Sequence, residues 1–191
     1  MSSHQHPRQI ICVDMDEVIA DALTQHLSRY NHDFPPTPAD PHFPHPLTPA
    51  DLHGRRLWEV VPSHHHAALD SYFRDPDFFR DLAVLPNAPR VLERLQCRYD
   101  IFIASAALEG PSSFTAKFDW LAEHFPFIPA SHIVFCGDKS ILRADFLIDD
   151  NLRQLEAFHG EGILFTSPAN IHATGYRRVN NWLEVESLFL P

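Results

Sequence analysis

The chain predicts an α/β fold, a parallel sheet with helices on both faces and a small, mainly helical insertion after the first strand. Short apolar runs recur at Ile10 to Val13, Ile101 to Ala104, Ile133 to Cys136, Phe146 to Ile148 and Ile163 to Phe165. Each has the length of a buried strand. Between them lie stretches with apolar residues three and four apart, and strands alternating with helices imply parallel pairing. Residues 22–82 interrupt that alternation, which marks the insertion.

Taken in order, the first run leads into DMDEVIAD and then a helical pattern, Leu23, Leu27 and Tyr30. The stretch DFPPTPADPHFPHPLTPAD follows; its seven prolines cannot join regular structure, so residues 33–50 are expected to form a surface loop. Helical spacing returns around Leu57, Val60, Val61 and Leu69, before Tyr72-Phe73 and Phe78-Phe79. The regular alternation resumes near Leu85, which sets the expected division: a core of 1–21 and 83–191, and a cap of 22–82. Val91-Leu92-Leu95 and Phe114-Phe118-Leu121-Phe125 read as helices packed on the sheet, with Phe114, Phe118, Trp120 and Phe125 as packing residues. Leu152-Leu155-Phe158 reads as another helix, with Gly160 as its stop.

The bulk numbers narrow the classes. At 191 residues the chain suits one domain with a small inserted subdomain. Its net charge of −10 argues against a groove for nucleic-acid polymers. Cys12, Cys97 and Cys136 are widely spaced, and Cys12 and Cys136 sit inside apolar runs, as buried thiols of a reducing compartment do. The start MSSHQHPRQ has no apolar signal core and no run reaches membrane-spanning length. These features together predict a soluble, cytoplasmic protein, monomer or homodimer. The fourteen histidines, with His64-His65-His66 adjacent, do not converge as zinc ligands do and are expected on solvated surface.

The chemistry gathers at strand ends. Asp14 and Asp16 are two apart, so both aim into the crevice where open α/β sheets bind ligands. Ser105 ends the run IFIASAA, and Asp149 and Asp150 end FLIDD. Oxygen ligands of this kind suit magnesium, while Lys117 and Lys139 supply positive charge. Carboxylates, a divalent ion, a hydroxyl and lysines are what phosphoryl transfer uses. Asp150-Asn151 also reads as the cap of the following helix.

DMDEVIAD, IASAA, the lysine-bearing SSFTAKFDW and GDKSILRADFLIDD, in that order, resemble the haloacid-dehalogenase superfamily of phosphatases, and within it the 5′(3′)-deoxyribonucleotidase family. The resemblance runs from about Ile10 to Phe165 and implies a Rossmann-like core whose insertion closes over the substrate. It implies a magnesium-dependent phosphatase acting on nucleoside monophosphates, with Asp14 as nucleophile forming an aspartyl-phosphate and Asp16 as general acid and base. Ser105 and Lys117 would hold phosphoryl oxygens, and Lys139 would assist them or brace the aspartates, with Lys117 placed first. Asp14, Asp149 and the main-chain carbonyl of Asp16 would bind Mg²⁺, with Asp150 behind them. Two departures stand out. Animal members commonly have glycine where this chain has Glu17, and an aromatic residue that stacks on the base where it has Ala22. Phe73, and less closely Trp58, keep an aromatic in the cap. The rival readings are the same chemistry on another small phosphate monoester, and a silent nucleotide- or partner-binding module.

Overall fold

The computed structural model describes residues 7–37, 45–107 and 111–191. Its main sheet comprises β1 (Ile10–Val13), β4 (Asp100–Ser105), β5 (Ile133–Phe135), β6 (Phe146–Asp149), β7 (Glu161–Phe165) and β8 (Arg177–Val179). They lie in the order β5-β4-β1-β6-β7-β8, every neighbouring pair parallel. β2 (Ala20–Asp21) and β3 (Ala83–Val84) form a separate antiparallel ribbon. The helices are α1 (Ala22–Asp33), α2 (Leu57–Val60), α3 (His66–Tyr72), α4 (Pro76–Arg80), α5 (Ala88–Leu95), α6 (Phe114–His124), α7 (Leu152–Ala157) and α8 (Trp182–Phe189).

The two-residue alternation of strand side chains divides the core. Ile11 and Val13 on β1, with Ile101, Ile103, Ile148 and Ile163, join the large cluster. That cluster also takes Val91, Leu92 and Leu95 of α5 and Trp182, Val185 and Phe189 of α8. Cys12, Ala104, Leu147 and Leu164 point the other way, onto Leu155 of α7 and Phe158. Arg90 and Arg94 of α5 pair with Glu186 of α8 across the outer surface.

The segment between β1 and β3 leaves and returns through the ribbon, where Asp21 stands opposite Ala83. Ala22 starts α1 directly after it, and Asp21 accepts a hydrogen bond from the Thr24 amide, an N-cap. Prolines 35 and 36 follow the helix, which ends with Phe34 N–H donating to the Tyr30 carbonyl. Part of the proline-rich loop, residues 38–44, lies outside the described residues. Buried tryptophans pin the segment's flanks: Trp120 Nε1 donates to Leu82 O at 2.8 Å and Trp182 Nε1 to Val18 O at 2.7 Å.

Some local expectations change. Gly160 is no left-handed helix stop; α7 already ends at Ala157, and a Cβ on Gly160 would lie 2.6 Å from the Asp145 carbonyl. Close approach to the Ala144-Asp145 backbone just before β6 is what demands glycine there. Phe118 is 40% exposed rather than packed, while Trp120 and Phe125 are buried. His26 is buried, so the surface expectation fails for it, and the half-buried His65 stacks on Phe34 with ring centroids 3.8 Å apart. Aromatic neighbours outweigh the polarity of a neutral imidazole. Among the described residues no helix is long and apolar enough to cross a membrane.

Candidate active site

Parallel pairing brings the strand ends to one edge. Val13 is level with Ile103 of β4 and Ile148 of β6, and the Asp14 amide donates to the Ile148 carbonyl at 2.9 Å. Asp14, Ser105 and Asp149 therefore meet at the carboxyl edge of three adjacent strands, all buried.

Two buried lysines serve different aspartates. Lys139 Nζ lies 2.7 Å from Asp14 Oδ1 and 2.5 Å from Asp149 Oδ2. Burial opposes its charge, but the two carboxylates outweigh burial and raise it above the ordinary lysine range. Lys117, on the inner face of α6, donates to Asp16 Oδ2 at 2.5 Å and to Ser105 Oγ at 3.2 Å. Its ammonium also lies 4.4 Å from the centre of the Phe79 ring, which brings α4 over the site. Lys139 is thus the brace between two aspartates, and Lys117 the group beside the hydroxyl and the second acid. The other Asp16 oxygen, Oδ1, is buried and has no hydrogen-bond partner.

The expected carboxylates Asp14 and Asp149 converge, and Asp150 joins them. The group whose carboxylate oxygens lie within 4.8 Å of one another is Asp14, Asp149 and Asp150. Asn151 caps α7 by accepting from the Arg153 amide, so Asp150 is free of the capping role expected for it. Asp149 has both oxygens engaged, one by Lys139 and one by the Asn151 amide at 2.8 Å. The Asp16 side chain stands apart, held by Lys117. Burial pushes Asp149 upward, and the neighbouring Asp14 charge adds to this against Lys139. Asp150 is pushed well above the carboxylate range by burial, then by Asp149, Asp14 and Glu17. Oxygen donors crowded enough to repel one another are a donor set that a hard divalent cation relieves, so these residues fit magnesium.

A cavity of about 690 Å³ opens beside this edge. Its lining includes Asp16, Asp150 and Arg153 together with Ala22, Trp58 and Phe73. The three residues expected around the substrate therefore line the same cavity. Trp58 and Phe73 stack with centroids 5.6 Å apart, and Trp58 Nε1 donates to Asp70 at 2.9 Å.

Two lining residues were not legible as site residues in the sequence. His26, one helical turn beyond Ala22, meets Trp58, Tyr72, Phe73 and Phe78 edge-on. Burial holds it down at about 4. Glu17 adopts φ +61° and accepts from the Leu23 amide at 2.6 Å. Burial, against that hydrogen bond and with Asp21 and Asp16 nearby, pushes it up to about 8. The replacement of glycine was the one signal that marked this position.

The fold is that of the haloacid dehalogenase-like proteins. A solved hydrolase of that kind from Streptococcus pneumoniae matches with a TM-score of 0.62 at 12% identity, covering 95% of this chain and 98% of its own. A second from Agrobacterium tumefaciens matches at 0.57 and 15% identity, covering 95% and 97%. The family model described as 5′ nucleotidase, deoxy (Pyrimidine), cytosolic type C protein matches residues 8–191, and the chain belongs to that family of phosphoric monoester hydrolases. A Bacillus subtilis (strain 168) relative named 5′(3′)-deoxyribonucleotidase is 36% identical over 185 residues, covering 96% of this chain and 99% of its own. A Staphylococcus aureus (strain Mu50) relative, provisionally given the same name, is 43% identical over 183 residues, 96% of each chain.

Proposed function

We propose that this chain is a magnesium-dependent 5′(3′)-deoxyribonucleotidase that releases phosphate from nucleoside monophosphates through an aspartyl-phosphate on Asp14. The observation that carries the reading is the pairing of two buried lysines with two aspartates at one sheet edge, beside a cavity with an aromatic wall. The family and the similarly named relatives supply the substrate class.

Asp14 attacks phosphorus, and the bond from phosphorus to the sugar oxygen breaks. Asp16 gives its proton to the departing alkoxide from the oxygen that Lys117 leaves unpartnered. It then takes a proton from the water that attacks the acyl phosphate, and inorganic phosphate leaves with Asp14 restored. Lys117 and Ser105 stand where they can hold phosphoryl oxygens. Asp14 and Asp150 would hold Mg²⁺ with the main-chain carbonyl of Asp16, and Asp149 would brace them through Lys139 and the Asn151 amide. The bound ion would offset phosphoryl charge. Residues 22–82 form the cap in this reading, hung from the β2–β3 ribbon and supplying Trp58 and Phe73.

The deciding experiment is phosphate release from deoxyribonucleotides, ribonucleotides and sugar phosphates, each with magnesium and with chelator. Deoxyribonucleotides should lead the panel, and chelator should abolish release. A panel led by sugar phosphates would replace the substrate assignment; release unaffected by chelator would remove the metal from it.

A further inference from the structure

We infer that Glu17 is a positioning residue that ties the catalytic turn carrying Asp16 to helix α1 and so to the wall of the substrate cavity. The inference rests on the phosphatase reading above.

The first observation is conformational. Glu17 has φ +61°, a left-handed backbone that a side chain disfavours and glycine adopts freely. Asn87, also at positive φ, is of a type that tolerates the region. A glutamate does not choose it, and a strained residue that persists points to a use for its side chain.

The second observation supplies the use. Residues 15–20 form a tight turn, with Glu17 N–H donating to the Ala20 carbonyl at 2.8 Å and Ala20 N–H to the Met15 carbonyl at 2.9 Å. The left-handed backbone sends the Glu17 side chain out of that turn to the start of α1, where Oε1 accepts from Leu23 N–H at 2.6 Å. That amide belongs to the first helical turn and has no acceptor within the helix. Asp21 answers the next one, from Thr24. α1 cannot shift along its axis relative to Asp16 without breaking the Glu17 bond.

The third observation links this to substrate. Glu17 lines the 690 Å³ cavity and also a neighbouring one of about 420 Å³, so it is part of the wall between them. α1 presents Ala22 and His26 to the larger cavity, and His26 is ringed by Trp58 and Phe73. The bond at Leu23 therefore sets the distance between the acid that protonates the leaving group and the aromatic wall that receives the rest of the substrate.

The test compares Glu17→Gly, Glu17→Asp and Glu17→Gln. Glycine removes the side chain and suits the backbone. Aspartate keeps the carboxyl group and loses the reach. Glutamine keeps reach and an acceptor oxygen. Steady-state constants are measured for thymidine 5′-monophosphate and p-nitrophenyl phosphate with magnesium, together with thermal midpoints. For the nucleotide, Glu17→Gly and Glu17→Asp should lower kcat on the order of ten- to hundredfold, the scale of a small misplacement, with KM little changed. p-Nitrophenyl phosphate needs neither the aromatic wall nor a strong acid and should be nearly unaffected. Glu17→Gln should keep nucleotide turnover close to that of the natural protein, and the Glu17→Gly midpoint should not fall. Nucleotide turnover by Glu17→Gly equal to the natural protein's overturns the inference alone. So does equal loss on both substrates with a lowered midpoint, which is a folding defect, or a Glu17→Gln as slow as Glu17→Asp. A natural protein that hydrolyses neither substrate overturns the phosphatase reading first, and this inference with it.

Discussion

At the scale of single residues, two aspartates two positions apart receive different partners, and this separates their expected roles. Asp14 shares Lys139 with Asp149, whereas Asp16 keeps one oxygen unpartnered. Asp14→Asn should leave no measurable turnover. Asp16→Asn should lose about 10²- to 10⁴-fold on nucleotides and far less on p-nitrophenyl phosphate, whose leaving group needs little protonation. Steady-state assays of both variants check this, and an active Asp14→Asn beside a dead Asp16→Asn reverses the assignment. Lys139 makes a separate prediction. It is fully buried between two acids, and removing one partner of a buried ion pair costs about 3–5 kcal/mol because the other charge is stranded. Lys139→Met should therefore unfold at clearly lower denaturant in chelator and regain part of the loss with magnesium, which returns a cation to the same acids. A variant as stable as the natural protein in chelator would show that Lys139 braces nothing.

At the scale of elements, α1 joins the catalytic turn to an aromatic cluster, and His26 is the residue where that cluster is sensitive to pH. Burial outweighs the Leu69 carbonyl, Arg29 opposes protonation and Asp70 favours it, with the result that His26 protonates only near 4. The unfolded chain protonates it near 6.5, so between 6.5 and 4 the unfolded state binds more protons and stability falls as pH falls. The full effect is about 3 kcal/mol. Denaturant midpoints at pH 7.5 and 5 should show about 2 kcal/mol of that loss, the rest falling below pH 5, and His26→Phe, which keeps the aromatic edges, should flatten it; equal slopes in both proteins would clear His26. The elements also show what the sequence disclosed. The five apolar runs became β1, β4, β5, β6 and β7 because a strand buried on both faces is written as continuous apolar residues. β8 escaped because Arg177-Arg178-Val179 at the sheet edge carries no such run, with Arg178 spending its guanidinium on the Asn170 and Ala173 carbonyls. The ribbon of β2 and β3 escaped because two residues per strand have no period to read.

At the scale of the whole molecule, a chain of net charge −10 concentrates three carboxylates at one sheet edge, where Lys139 is paired with Asp14 and Asp149. The residues of this edge were legible because strand ends are fixed by the apolar runs before them. Their division of labour was not, since Asp150 and Asn151 are adjacent and equally able to cap a helix until backbone direction separates them. The remaining negative charge makes stability itself a reporter of the proposed ion. A ligand that binds only the folded state at a hundred times its dissociation constant adds about 2.7 kcal/mol, or roughly 5–10 °C in midpoint for a domain of this size. Magnesium should raise the thermal midpoint of the chelated protein by that order and restore phosphate release. Calcium should raise the midpoint as well, because the donors are the same oxygens, yet restore little turnover. Its bonds of about 2.3–2.6 Å, against 2.0–2.1 Å for magnesium, and its looser geometry misplace a nucleophile that is also a ligand. Asp150→Asn should lose most of the magnesium shift, whereas Asp16→Asn, whose main-chain carbonyl is untouched, should keep it. A midpoint and a turnover both indifferent to chelator and magnesium would leave the three carboxylates without the cation their crowding calls for, and would sink the metal assignment.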